Sequence, residues 1–151
     1  MLRLAKNPRP VLLAMGNTFK SITEGNFNSV GASYRPSPWP PKRDGSVCNL
    51  QLSTTLAHAF HLEVSPTAAT LSNSTKYAAI HQFGGVIKPV NAKSLSWIGS
   101  DGKRRFAKSV TIPARPFFPV LNGRLTPAAE EKIVRAGERV MLREGGAPAS
   151  P

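Results

Sequence analysis

Tyr77-Ala78-Ala79-Ile80-His81-Gln82-Phe83-Gly84-Gly85 opens, and Ile112-Pro113-Ala114-Arg115-Pro116-Phe117-Phe118 closes, the segment around which this 151-residue chain is arranged. The opening string predicts a short helical turn: Tyr77, Ile80 and Phe83 fall at three-residue steps and share an apolar face. Gly84-Gly85 ends it, because glycine enters left-handed backbone at little cost. The closing string cannot be helical inside. Pro113 and Pro116 fix φ, lack donors, and push Ile112 and Arg115 toward extended geometry. A stiff apolar segment with one guanidinium suits docking against another surface.

Between the strings, Val86 to Ala92 reads as a loop held by Pro89. Leu95 and Trp97 mark a strand, Gly99-Ser100-Asp101-Gly102 a turn, and Lys103 to Ile112 a returning strand. The tip of that hairpin carries Lys103, Arg104 and Arg105 beside Phe106, a composition suited to phosphate or to an acidic partner. Upstream, Leu50, Leu52 and Leu56 lead into a period-two run. Phe60, Leu62 and Val64 face one way and His61 and Glu63 the other, so with Ser65-Pro66-Thr67 as turn and Ala68 to Ser72 as partner a first hairpin is expected. Asn73-Ser74-Thr75 offers side-chain oxygens to cap the Tyr77 turn.

Residues 26–49 read as an irregular proline-rich loop in which Pro36, Pro38, Pro40 and Pro41 frame Trp39. Trp39 is either an exposed anchor for a partner or a lid folded back on the core. Asp44-Gly45 signals a turn. Before this loop, Asn7-Pro8 supplies a cap and a first-turn proline, and Leu12, Met15, Phe19 and Ile22 form one apolar stripe ending at Gly25. A helix of about 15 residues, roughly 22 Å long, is expected to pack on a sheet. At the other end, Thr126-Pro127 opens a last helix with stripe Leu125, Ala129, Ile133, Ala136 and Val140, stopped by Gly145-Gly146. The expected organisation is a basic arm over 1–9, a single domain over 10–143 and a flexible tail over 144–151. Its class is α+β: terminal helices packed on a mainly antiparallel sheet of two hairpins, with extended proline-rich loops and arms.

Composition narrows the function. The net charge is +12, from 20 basic and 8 acidic residues, and basic character sits at both ends of the chain rather than in the middle. Such a balance implies polyanionic neighbours, nucleic acid or acidic protein. No apolar run approaches the ~20 residues of a membrane span, and no signal peptide is read at the N-terminus. The single cysteine, Cys48, excludes an internal disulfide and fits a reducing cytoplasm. His58 and His61 would split between the two faces of a strand, and neither Cys-x-x-Cys nor His-Glu-x-x-His is present, so no metal or cofactor is expected. No nucleophile motif, phosphate loop or paired carboxylates point to catalysis. The chain reads as a surface-former, not an enzyme.

The two bracketing strings together resemble the virion morphogenesis proteins of tailed, Mu-like phages and prophages, also described as tail completion or head–tail joining proteins. The resemblance covers about residues 10 to 120, including a first helix, Trp39-Pro40 and a leucine-rich lead-in to a strand. One step departs from the family pattern: Ser53-Thr54-Thr55-Leu56 lacks the glycine often found there. The resemblance implies a structural virion protein at the neck, assembled in the host cytoplasm. It would form a ring of six copies between connector and tail tube, through which DNA passes. By that analogy Tyr77, His81, Phe83, Gly84, Gly85, Pro113, Arg115, Pro116, Phe117 and Phe118 shape the core and subunit contacts, with Arg115, Phe117 and Phe118 as interface anchors or, for the two phenylalanines, as intramolecular core. Arg115 would pair with a neighbour's carboxylate. The implied partners are the chain itself, portal-side neck proteins, and tube or terminator proteins, with transient contact to packaged DNA and none to membrane. A strongly basic bore would retard DNA, so the basic groups are expected to face proteins; the alternative is a non-sequence-specific DNA-binding module.

Overall fold

The computed structural model describes residues 7–28, 34–48, 50, 54–99 and 101–145. The expectations for residues 1–6, 146–151 and Leu52 lie outside them. Helix α1 spans Arg9–Asn28 and starts as expected: the Arg9 amide donates to Asn7 Oδ1 at 3.2 Å and the Leu12 amide to the Pro8 carbonyl at 3.0 Å. It does not stop at Gly25. An interior glycine costs about 1 kcal/mol, whereas burying a phenylalanine gains about 1.5–3 kcal/mol. Phe27, two residues further on, is fully buried, so the helix continues to reach it.

The chain then crosses a proline-rich segment and a short helix, α2 (Thr55–His58), whose Leu56 and Ala57 are buried. Strands β1 (Phe60–Val64) and β2 (Ala69–Asn73) form the predicted hairpin, with Leu62 opposite Leu71 and His61 and Glu63 exposed. Asn73 does not cap the following turn. Its amide donates to the Leu56 carbonyl at 2.8 Å and its oxygen accepts from Thr75, joining α2 to the hairpin. Helix α3 (Ala78–Phe83) begins with no side-chain cap.

From Gly85 the chain makes one long interrupted hairpin. Strand β3 (Gly85–Ile87) pairs with β6 (Val110–Ile112), and β4 (Leu95–Ile98) with β5 (Arg104–Ala107), all antiparallel. Two expectations change here: Val86 and Ile87 are strand rather than loop, and Lys103 to Ile112 is two strands broken at Lys108-Ser109. Pro89 has no N–H for a ladder, so the outgoing strand ends before it. The hairpin of β7 (Val120–Leu121) and β8 (Arg124–Leu125) follows, closed by Asn122 and Gly123, both at positive φ (51° and 76°). Asn-Gly is a strong two-residue hairpin signal, absent from the reading above. Helix α4 (Pro127–Gly145) starts where Thr126 predicts, although the Thr126 hydroxyl is buried without a partner and only its carbonyl accepts the Glu130 amide, at 2.9 Å.

The class is therefore α+β, with terminal helices and antiparallel hairpins, but the described strands form four separate two-stranded ladders rather than one sheet. Helix α1 is the central layer, with the first hairpin on one side and α4 on the other. Two glycines permit both approaches. A Cβ on Gly16 would lie 2.7 Å from Leu62 Cδ1, and one on Gly137 2.9 Å from Met15 Sδ. The core has two parts: Phe27, Leu56, Ala57, Phe60 and Phe117 beneath the hairpin, and Ile22, Ala129 and Ile133 between the helices. Phe27 lies 5.4 Å from Phe117, 5.7 Å from Trp39 and 6.0 Å from Phe60, centroid to centroid. Phe27→Ala should lower stability by about 3–5 kcal/mol, read as a lower urea midpoint, while Leu142→Ala, 74% exposed, should stay within about 0.5 kcal/mol. Equal effects at the two positions would contradict this core.

Candidate functional site

The Ile112–Phe118 segment of the closing string is extended and, beyond β6, has no ladder partner among the described residues. Side chains from three other segments satisfy its backbone instead. Gln82, buried, accepts from the amides of Phe117 and Phe118 through one oxygen, at 3.0 Å each. Asn26 Nδ2 donates to the Phe117 carbonyl and Trp39 Nε1 to the Pro116 carbonyl, both at 2.8 Å. The Arg115 amide donates to the His81 carbonyl at 2.7 Å. The Arg115 side chain, 8% exposed, donates from Nε to the Pro40 carbonyl and from a terminal nitrogen to the Pro41 carbonyl, at 3.0 Å each.

This geometry revises several roles. Arg115 clasps its own chain's proline loop rather than presenting a fork to a neighbour. Phe117 is fully buried and Phe118, half-buried, stacks 5.0 Å from it, so both phenylalanines serve the core. Trp39 is the lid: edge-on to Phe27, with the Arg35 guanidinium 3.7 Å from its ring centre. Pro116 is half-buried and Pro113 exposed. Gln82 was missed, because the spacing of Tyr77, Ile80 and Phe83 directs attention to the apolar face. The structure buries the glutamine and leaves Phe83 78% exposed, since two consecutive amides without a strand partner need an acceptor.

Gly84 and Gly85 do what the sequence requires of them. Both have positive φ, and a Cβ on Gly84 would meet the Ala114 backbone nitrogen at 2.8 Å. His81 is half-buried edge-on to Tyr77, with Nδ1 unpartnered. Burial first, and the Arg115 charge second, hold it below its ordinary pKa of 6.5. Lys103, Arg104 and Arg105 lie exposed at the tip of the long hairpin, Arg105 paired with Asp101 at 3.0 Å. Among the described residues, no three His, Cys, Asp or Glu side chains gather to hold a metal ion.

Beside the locked segment lies an open groove of about 700 Å³, lined by Phe19, Leu71, Phe83, Pro116, Phe118 and Leu121 among others, none of them charged. Phe83 and Leu121 are 78% and 56% exposed on its wall. Large apolar side chains left open around a concavity mark a surface to be covered.

Arg115→Ala would leave two carbonyls without their donor and should cost about 2–3 kcal/mol of stability, seen in urea melts. Unchanged stability would refute the clasp. Protonation of His81 is opposed in the folded state, so as pH falls below 6.5 the unfolded chain takes the proton first. Stability should be full above that pH and decline as pH drops toward the folded pKa, and His81→Gln should flatten the decline between pH 7 and 5.

A family model described as the phage virion morphogenesis family matches residues 1–140. No curated protein and no solved structure matches the chain. The matched region includes both bracketing strings, the locked segment and the groove, and the chain belongs to the phage virion morphogenesis family.

Proposed function

We propose that the chain is a non-catalytic structural protein of the head–tail junction, in which six identical copies form a ring joining the capsid connector to the tail tube. The observation that supports this reading is the uncharged groove with Phe83 and Leu121 standing open on its wall. A closed aromatic core lies directly behind it, so the groove is a rigid surface rather than a collapsed interior. Tyr77 and the Gly84-Gly85 turn shape its neighbourhood, while Arg115, Phe117 and Trp39 support it from behind. No described helix is long and apolar enough to cross a membrane. The neighbours in this reading are further copies of the chain, portal-side neck proteins and the tube or its terminator.

Native mass measurement should find the wild-type protein as a closed oligomer. Phe83→Asp and Leu121→Asp should be monomeric, with unfolding midpoints within about 0.5 kcal/mol of wild type, and should fail to join heads to tails in a complementation assay. Variants that assemble and complement normally would remove the groove from the interface. Particles lacking the protein at the join would remove the reading itself.

A further inference from the structure

The hairpin between Gly85 and Ile112 is set apart from the body. Its strands pack on one another, and only marginally on α1, the first hairpin or α4. At roughly 3.3 Å per residue, the returning run from Arg104 to Ile112 alone can reach about 30 Å. This arm is also strongly one-sided in charge. Lys88, Lys93, Lys103, Arg104, Arg105 and Lys108 are all exposed, against the single acid Asp101. Among the described residues only Arg105 of these six holds an ion pair. The register places Ile98 opposite Arg104 and Phe106 opposite Ser96. By alternation these four share one face of the ribbon, where Ile98 and Phe106 are each 66% exposed.

We propose that this arm is a duplex-DNA contact, sequence-independent and carried by phosphate neutralisation along the ribbon. Charge complementarity is the first ground: six exposed cations opposed by one acid are matched by a partner with a negative charge every ~1.7 Å of axis. Shape is the second, since a two-stranded β-ribbon fits the ~12 Å major groove. Composition is the third. Four of the six cations are lysines, which are depleted in protein–protein interfaces but bind phosphate well as point charges. The exposed Ile98–Phe106 face supplies apolar groups that can lie against sugar and base edges. The contact goes beyond the ring reading and does not depend on it, and it gives to DNA the cations that the sequence reading assigned to protein neighbours.

The test is fluorescence anisotropy of the full-length protein with two unrelated ~20-bp duplexes between 50 and 200 mM salt. Both duplexes should bind alike, with affinity falling steeply as salt rises. The triple variant Lys103→Glu, Arg104→Glu, Lys108→Glu should bind at least tenfold more weakly at 50 mM. It should also lose about 2–3 from the magnitude of the log–log salt slope, with an unchanged melting temperature. Absence of wild-type binding at 50 mM overturns the proposal, as does a triple variant that binds like wild type. If that variant binds DNA normally yet fails to build particles, the arm belongs to an acidic protein partner instead.

Discussion

Phe117 sits at the centre of the core on a strand that has no strand beside it. Its prolines rule out regular pairing, yet its carbonyls and amides lie buried, where an unmet polar group costs about 1–3 kcal/mol. Gln82, Asn26 and Trp39 meet that demand from the helical turn, the end of α1 and the proline loop, while the Arg115 side chain satisfies the Pro40 and Pro41 carbonyls of that loop. Each satisfies a backbone group and, in doing so, fixes the position of the segment it comes from. The proline loop therefore needs no secondary structure of its own: Arg115 and Trp39 hold it by its carbonyls and its indole. The extension of α1 past Gly25 follows from the same demand, since Asn26 and Phe27 both reach Phe117.

What could be read in advance was whatever depends on neighbours in sequence. The starts of α1 and α4, the alternation of β1 and the glycine-stopped turn before the arm all follow from local rules of capping, period and backbone freedom. The long-range roles were hidden for a physical reason. Arg115 and Phe117 look like docking groups because the partners that bury them lie far away in sequence. Their partners are Pro40, Pro41 and Phe27, brought close only by the fold. Gln82 was concealed by its apolar flanks. The Asn122-Gly123 turn, by contrast, was a local signal and could have been found. Phe83, assigned to a shared apolar face with Ile80, is exposed on the groove wall, while Gln82 beside it is the residue that the turn buries.

The molecule thus divides its labour. The body is aromatic, closely packed and held by polar clasps to backbone. The arm has almost no interior, and its side chains face outward. The arm contributes little to the core, so its surface can change in sequence without disturbing the packing, while the bracketing strings cannot. The family match over residues 1–140 extends across both parts.

The hydrogen bond from Asn26 to Phe117 joins positions 91 residues apart, and that from Trp39 to Pro116 spans 77. Contacts so distant along the chain must wait until Phe117 has left the ribosome. Until then α1 emerges with Phe27 exposed and no surface to receive it. Closing such long loops slows folding and prolongs the time that apolar surface is open to aggregation. A protein built this way leaves the core around Phe27 open until the segment that follows the arm has been made.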